Sequence, residues 1–482
     1  MDCYGNNMEL STALRPHKMY MDYELNGDEE LIIKKFESML KSNEVGFFDS
    51  EEFEDIIEFY LEEGKIITAR KAIALSIVQH PESVNLKLYQ AEMLIMDNRL
   101  QEAYNVLNVL QQLEPSNAEI YIQKANIFSK TEKHEEAIRL LQIASRLTDD
   151  NADIFNLIGM EFLFLDDYSS ARSNFTRCLE VDSEDDAALH NIIYCYEFLE
   201  DTHHAVEFLK GHIDKRPYNK VAWHQLGKQY LELCELEKGL EAFEYAIISD
   251  DLFIGAYFEK GKILERLGRF TEAIEVYSIT LTIDDPTAFA YHRMALCHQK
   301  IGDRINAKNF YKKALEEDPL LTVAWVDMID FYLELDQIQT ALKYVEQATE
   351  LEIDDSELWT RYAIVNNLLF KYEEAEYGYR KAIELGHLDE NIWNHRADIF
   401  YKLGEFDAAI NNLLHGLDFY PDQHGMTVRL AAYSYMNRNY AEGLFHLQNA
   451  DKIDSRATVS FLRDIKALWN IESFVKDYSE LR

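Results

Sequence analysis

The chain has 482 residues, of which 47% are apolar, 7 are proline and 18 are glycine. A chain of this length exceeds one ordinary compact core, and the scarcity of proline and glycine favours long helices joined by short turns. The 48 basic and 87 acidic residues give a net charge of −39, and this negative field argues against nucleic acids and anionic membrane surfaces as partners.

The sequence shows no sign of an oxidising compartment or of a membrane segment. Its five cysteines are odd in number and form no CxxC pair, which predicts neither a disulfide framework nor a metal site. The first residues lack a charged segment followed by an apolar run, and no stretch reaches the roughly 18 apolar residues that span a bilayer. We therefore expect a cytoplasmic protein without metal or cofactor.

The region before the main pattern divides into two parts. Residues 1–27 show no hydrophobic periodicity and are expected to be mobile. Residues 28–49 are expected to form an N-terminal capping helix, over 28–43, and a linker. In that helix Ile32, Phe36 and Met39 lie on one stripe, and Asp28 is in a suitable place to cap the first turn.

From residue 50 to residue 457 the chain repeats every 34 residues without insertion or deletion. Apolar spacing within each repeat is helical on both sides of a short break, which predicts two helices per unit. Trp325, Trp359 and Trp393 share one position of this pattern. The twelve units begin at Ser50, Val84, Ala118, Ala152, Asp186, Lys220, Ile254, Ala288, Thr322, Ser356, Glu390 and His424.

Two positions of the unit hold small residues. The twentieth residue is alanine in ten units and glycine in two (Gly239 and Gly443), and the eighth is small in all but three units, which carry Ile57, Ile193 and Ile329. Helices approach each other closely only where the facing side chains are small. These two positions are therefore predicted to form the contact within each helix pair.

Helix ends are marked by glycine and proline. A glycine follows the first helix in four units, at Gly64, Gly268, Gly302 and Gly404, where a left-handed cap is least strained. Prolines such as Pro217 and Pro319 follow the second helix and stop it. Residues 458–482 are expected to form a C-terminal capping helix and tail that cover the last unit.

This pattern resembles the tetratricopeptide repeat (TPR) family, and in particular its long acidic bacterial scaffold members. The best copy of the family's marks is Trp223, Leu226, Gly227, Tyr230, Phe243 and Ala246. The resemblance implies an all-α fold, a right-handed superhelical α-solenoid of about twelve helix pairs with a C-terminal capping helix. It also implies a concave groove lined by positions 2, 5, 6, 9, 12 and 13 of each first helix.

Transferred to this sequence, these positions concentrate cationic and amide side chains in units five to eight. The resemblance thus implies a groove for partner proteins or extended peptides, with acidic or carboxylate-bearing segments as the candidate ligands. A solvated face that relieves the charge of its neighbours is an alternative that the sequence leaves open. The candidate peptide-binding residues are His190, Asn191, Tyr194, His224, Gln225, Lys228, Phe258, Lys262, Arg266, His292, Arg293 and Lys300.

No motif for catalysis or phosphate binding occurs. The sequence lacks GxxxxGK[ST], HExxH and GxSxG. His190 and Cys195 are five positions apart on their helix and therefore do not face each other as a nucleophile and its base would. The segments that flank the repeats are expected to be too short for a catalytic domain. We therefore expect a non-catalytic scaffold or adaptor, or alternatively a regulatory or substrate-holding subunit of a separately encoded enzyme.

Overall fold

A computed structural model describes residues 27–468 except 43–45, 150, 284–286, 352 and 388. This part of the chain forms 26 α-helices and contains no strand. The predicted mobile segment before residue 27 and the predicted tail after residue 468 lie outside the described residues. The all-α solenoid expected from the repeat is confirmed.

The helices belong to two compact bodies, an N-terminal body up to Ser249 and a C-terminal body from Asp250. Within each body consecutive helices pack against each other, and several first helices also contact the first helix of the next unit. Each body is therefore a stack of helix pairs in which a unit touches its sequence neighbours, as solenoids are built.

The first helices begin at the predicted first residues of the twelve units, and the second helices follow after short turns. The first helices are α2 (Ser50–Glu62), α4 (Val84–Met96), α6 (Ala118–Lys130), α8 (Ala152–Phe164), α10 (Asp186–Phe198), α12 (Lys220–Glu232), α14 (Ile254–Arg266), α16 (Ala288–Lys300), α18 (Thr322–Glu334), α20 (Ser356–Leu368), α22 (Glu390–Leu403) and α24 (His424–Met436). The second helices are α3 (Ile66–Gln79), α5 (Leu100–Leu113), α7 (His134–Ala144), α9 (Tyr168–Val181), α11 (Thr202–Lys215), α13 (Leu236–Ser249), α15 (Phe270–Ile283), α17 (Arg304–Glu317), α19 (Ile338–Glu350), α21 (Tyr372–Glu384), α23 (Phe406–Phe419) and α25 (Tyr440–Ile453).

One further helix lies at each end of the repeats. Helix α1 (Gly27–Ser42) packs on the first unit through the buried ring of Phe36, whose centroid lies 5.7 Å from that of Phe48 and 6.0 Å from that of Tyr60. It begins one residue earlier than expected, so that Asp28 lies within the helix. Helix α26 (Ser455–Leu468) contacts α24 and α25 and begins before the predicted boundary at residue 458.

The contact within each helix pair combines a small residue with a large one. All ten alanines at position 20 are fully buried. At position 8, a Cβ atom added to Gly227 would lie 2.7 Å from the ring of Phe243, and one added to Gly261 would lie 2.5 Å from the ring of Tyr277. The units with isoleucine at position 8 carry a smaller residue in place of that ring: Ile73, Leu209 and Val345. An aromatic ring at this position therefore occurs only in units with glycine or alanine at position 8, although four of the alanine units carry leucine there.

The turn between the two helices has one conformation in every unit. Residue 15 has a positive φ in all twelve units, from 52° at Glu200 to 81° at Gly302. The four predicted glycine positions are among them. The other eight are not glycine: Asn98, Glu132, Asp166, Glu200, Cys234, Asp336, Phe370 and Arg438. Because the left-handed conformation costs an L-residue about 1–2 kcal/mol, the packing of the helix pair must impose this turn.

The prolines serve a second role besides stopping the helix. The indole Nε1 of Trp223 donates a hydrogen bond to the carbonyl oxygen of Pro217 at 2.8 Å, and that of Trp325 donates to Pro319 at 2.9 Å. The Tyr121 hydroxyl donates to Pro115 in the same way, at 2.9 Å. The large residue at position 4 thus ties the start of a unit to the turn that precedes it.

The small–large contact can be tested with Gly227→Ala. We expect this variant to lower the opening free energy of α12 and α13, measured by hydrogen exchange, by about 1–3 kcal/mol because the new methyl group overlaps the Phe243 ring. Adding Phe243→Leu should restore part of the loss. The matched control is Gly211→Ala in α11, where an added Cβ meets nothing within 4 Å. An equal response to both glycine substitutions would contradict this account of the packing.

The imposed turn can be tested with Glu132→Gly. Removing the Cβ atom relieves the left-handed strain and outweighs the greater flexibility of glycine in the unfolded chain, so the opening free energy of α6 and α7 should rise by about 0.5–1 kcal/mol. Glu132→Gln controls for the lost charge and should leave this free energy nearly unchanged. Hydrogen exchange of α6 and α7 measures the opening free energy of both variants, and a destabilised glycine variant would show that the turn is not strained.

Candidate peptide-binding surface

We define the first-helix face as positions 2, 5, 6, 9, 12 and 13 of the first helices. In the N-terminal body it includes six candidate residues on α10 and α12, and in the C-terminal body six on α14 and α16. The two groups are described separately. Ten of the twelve side chains are exposed or half-buried, but Gln225 and His292 are buried, at 4% exposure each.

In the N-terminal body, amide side chains join α10 to α12. The Gln225 Nε2 atom donates a hydrogen bond to Nδ1 of His190 at 2.6 Å, and Nε2 of Gln229 donates to Oε1 of Glu197 at 3.1 Å. The Oε1 atom of Gln225 has no hydrogen-bond partner among the described residues. Lys228, on the same helix, is half-buried and makes no ion pair with any described residue. Beside it, the His224 ring packs edge-on against Phe243, with centroids 5.4 Å apart, and Asn191 is half-buried on α10.

In the C-terminal body, Arg293 joins α16 to α14. Its guanidinium forms two hydrogen bonds with Glu265, from Nε to Oε1 at 3.0 Å and from Nη2 to Oε2 at 2.5 Å, and the Tyr277 hydroxyl donates to Oε1 at 2.6 Å. Burial acts to lower the pKa of Arg293, but Glu265 and Tyr277 outweigh it and hold this pKa above its ordinary value. Arg293 is therefore committed to the contact between neighbouring units.

Two further candidates in this body already have acidic partners. His292 Nε2 lies 2.7 Å from Oδ2 of Asp327 on α18, and Lys262 Nζ lies 2.7 Å from Oε1 of Glu259 on its own helix. Phe258 packs against the ring of Phe289, with centroids 5.5 Å apart. Arg266 and Lys300 are exposed and have no acidic partner among the described residues.

Ion pairs between consecutive first helices recur further along the C-terminal body. Arg361 on α20 contacts Asp330 on α18, with Nε 2.8 Å from Oδ1, and Arg429 on α24 contacts Asp398 on α22 at 2.9 Å. In both pairs a cation at position 6 meets a carboxylate at position 9 of the preceding unit. For these arginines, as for Arg293, the arrangement favours a face that relieves the charge of its neighbours.

An apolar cavity lies on the first-helix face of the N-terminal body, between α8 and α10. Its volume is about 140 Å³, and it is lined by Met160, Leu163, Phe164, Asp166, Tyr168 and Tyr194. Only Tyr194 was among the predicted site residues. The signal that could have revealed the cavity is that positions 9, 12 and 13 of unit four are all apolar, unlike those of units five to eight.

The described residues offer little for cofactor or metal chemistry. Burial, against the opposing effect of Arg172, raises the pKa of the Cys195 thiol to about 11, so that the thiol is protonated at neutral pH. No three histidine, cysteine, aspartate or glutamate side chains in the described part of the chain are arranged to hold a metal ion. None of the described helices combines the length and apolar character needed to cross a bilayer.

These observations define a helical-repeat solenoid whose first-helix face carries many polar side chains on α10, α12, α14 and α16 and an apolar cavity between α8 and α10. Models of the tetratricopeptide repeat match residues 152–185, 224–288, 290–319 and 390–423. Together with the twelve helix pairs, these matches identify the chain as a tetratricopeptide repeat protein. Proteins of this family bind other proteins or peptides.

Two curated relatives are distant in sequence. A TPR repeat-containing protein of Methanocaldococcus jannaschii is 24% identical over 206 residues, which cover 40% of this chain and 34% of that protein. Superkiller complex protein 3 of Mus musculus is 22% identical over 149 residues, 30% of this chain and 10% of that protein. The crystal structure of yeast Tom70 aligns with 94% of this chain and 99% of its own, at 14% identity and a TM-score of 0.40. The aligned regions thus cover about a third of the Methanocaldococcus jannaschii protein and about a tenth of Superkiller complex protein 3.

The structural role of Arg293 can be tested with Arg293→Met. The substitution leaves the half-buried Glu265 without its cation, and we expect the opening free energy of α14 and α16 to fall by about 1–3 kcal/mol, less than for a fully buried pair. Arg266→Met removes an exposed cation that has no acidic partner among the described residues, and it should have almost no effect. Hydrogen exchange of the two helices measures both variants, and equal stability would show that the ion pair contributes nothing.

Proposed function

We propose that this protein is a non-catalytic cytoplasmic scaffold or adaptor that binds extended acidic segments of partner proteins on its first-helix face. The observation that carries the proposal is the pair of Arg266 and Lys300. They occupy position 13 of consecutive units, are exposed, and have no acidic partner among the described residues. A ligand carboxylate can therefore reach them without displacing one from the protein.

We expect the two cations to act together, because they lie on consecutive first helices. The ion pair of Arg293 with Glu265 joins α14 to α16, and packed helices lie about 8–10 Å apart. This spacing is comparable to the screening length of about 8 Å at physiological salt. Each charge-assisted hydrogen bond contributes about 1.5–3 kcal/mol before the entropy cost of ordering the ligand.

The N-terminal body offers a separate contact of the same kind. Lys228 lacks an acidic partner among the described residues, and the amide of the neighbouring Gln225 keeps an unpaired oxygen. The net charge of −39 opposes acidic ligands at long range. Binding should therefore depend on these local cations and should weaken as salt is raised.

The proposal can be tested with a fluorescein-labelled dodecapeptide of alternating glutamate and serine. We expect the double variant Arg266→Glu/Lys300→Glu to bind it at least about tenfold more weakly, the equivalent of about 1.4 kcal/mol, as measured by fluorescence anisotropy. The matched control is Lys308→Glu/Lys312→Glu on α17, which makes the same change of charge at exposed positions of a second helix. Equal weakening by both double variants would mean that only the overall field matters and would contradict the proposal.

The partner class is tested by purification of the chain with its bound proteins from source lysate, followed by crosslinking. Several partner proteins crosslinked to the first-helix face support the scaffold. Stoichiometric recovery of one enzyme instead supports the alternative, a regulatory or substrate-holding subunit of that enzyme. Crosslinks confined to second helices would contradict both.

A further inference from the structure

We infer that the cavity between α8 and α10 is an anchor site for a partner segment that presents one leucine, methionine or phenylalanine side chain next to a lysine or arginine. The inference rests on the proposed function, since it assigns a second ligand contact to the first-helix face. It concerns the N-terminal body alone.

The size of the cavity limits which side chain can enter it. Its volume is about 140 Å³, and an apolar cavity of about 150 Å³ in a protein is known to accept benzene. Met160, Leu163 and Phe164 of α8 line it on one side, and the ring of Tyr194 on α10 lines it on another. The space therefore suits one aliphatic or aromatic side chain.

The walls are held in place before any ligand binds. The ring of Phe198 stacks on that of Tyr168, with centroids 4.6 Å apart and planes 12° from parallel, and lies 4.6 Å from that of Tyr194. Phe164 stacks on the ring of His134 at 4.9 Å, and His134 Nδ1 lies 2.8 Å from Glu161 Oε2. A preformed site avoids the entropy cost of ordering its own side chains when a ligand binds.

The walls also leave apolar surface open to solvent. Phe164 is 40% exposed and Phe198 is 53% exposed, although both pack in the stacked arrangement. Burying such surface against a ligand side chain is favourable in proportion to the apolar area removed from water. The two rings therefore extend the cavity into a larger contact surface for the residue that enters it.

The negative charge at the rim of the cavity favours a basic residue next to the side chain that enters it. Asp166 lines the cavity and accepts a hydrogen bond from the Tyr168 hydroxyl at 3.1 Å, and it forms no ion pair within the described part of the chain. Burial and then Asp166 raise the pKa of Tyr168, and burial, Cys195, Asp166 and Glu197 raise that of Tyr194, with no cation opposing them. A cation beside the anchor would thus meet a negative local field in a chain of net charge −39.

The chain itself contains a segment of similar chemistry. Residues 14–21 read LRPHKMYM, in which three basic or histidine side chains stand among apolar and aromatic ones. We assign the cavity to a partner protein, and we treat occupation by this segment as a competing outcome of the test.

The experiment uses the full chain and three fluorescein-labelled decapeptides. Each peptide carries two copies of one residue pair at its centre, flanked by serine and glycine. The pair is Leu-Lys in the first peptide, Ser-Lys in the second and Leu-Glu in the third, and binding is measured by fluorescence anisotropy. We expect the Leu-Lys peptide to bind at least about tenfold more tightly than either of the others. Similar binding of all three peptides would overturn the inference.

Two variants separate the apolar contact from the charge. Tyr194→Ser removes one wall and should weaken the Leu-Lys peptide at least about fivefold, whereas Tyr218→Ser, at an exposed tyrosine, should not. Asp166→Asn keeps a residue that tolerates the left-handed turn and should abolish the preference for Leu-Lys over Leu-Glu. Its control is Asp336→Asn, at the same position of unit nine with φ of 57°, which should keep that preference.

The remaining outcomes are also decisive. A synthetic peptide of residues 12–23 that binds more tightly than the Leu-Lys peptide would overturn the assignment to a partner. If the chain binds the acidic dodecapeptide through Arg266 and Lys300 but binds none of the three decapeptides, this inference is overturned and the proposed function stands. If the chain binds the Leu-Lys decapeptide but not the acidic dodecapeptide, the proposed function is overturned and the apolar anchor site stands.

Discussion

The structure depends on one close contact, in which position 20 of each unit meets the first helix of the same unit. The ten alanines at this position are completely buried, so a side chain larger than a methyl group would push the two helices apart. The ring of Phe243 fills the space above Gly227, and an isoleucine at position 8 is matched by a smaller residue in the same place. These small residues allow the two helices of each unit to pack closely, and units of equal length can then stack on their sequence neighbours.

The fold could be predicted from the sequence because this contact leaves a trace in every unit. A small residue that recurs every 34 positions fixes the boundaries, and the first helices begin at the residues that this period indicates. The common turn was predictable only where glycine marks it. At Glu132 or Phe370 the left-handed conformation comes from the packing of the two helices, and the local sequence carries no sign of it.

The candidate surface was less predictable, because its properties arise between units. Arg293 looks like a free cation in the sequence, but its partner Glu265 lies 28 positions away, at position 12 of the preceding unit. No local pattern connects the two. Lys262 is paired with Glu259 on its own helix, whereas Arg266 and Lys300 carry the same charge and have no such partner among the described residues. Charge counting cannot separate these cases. It also could not reveal the cavity beside Tyr194, because five of the six lining residues are uncharged.

The imposed turn has a consequence for how such a protein can diverge. Since residue 15 adopts the same left-handed backbone whether it is glycine, aspartate or phenylalanine, the direction of its Cα–Cβ bond is set by the fold. Each of the eight units without glycine at this position thereby displays one side chain at a fixed angle, at a modest cost in stability. Substitution at this single site can alter the chemistry of one repeat while its neighbours keep theirs, so that recognition can evolve one unit at a time. Asp166, at the rim of the apolar cavity, is a side chain displayed in this way.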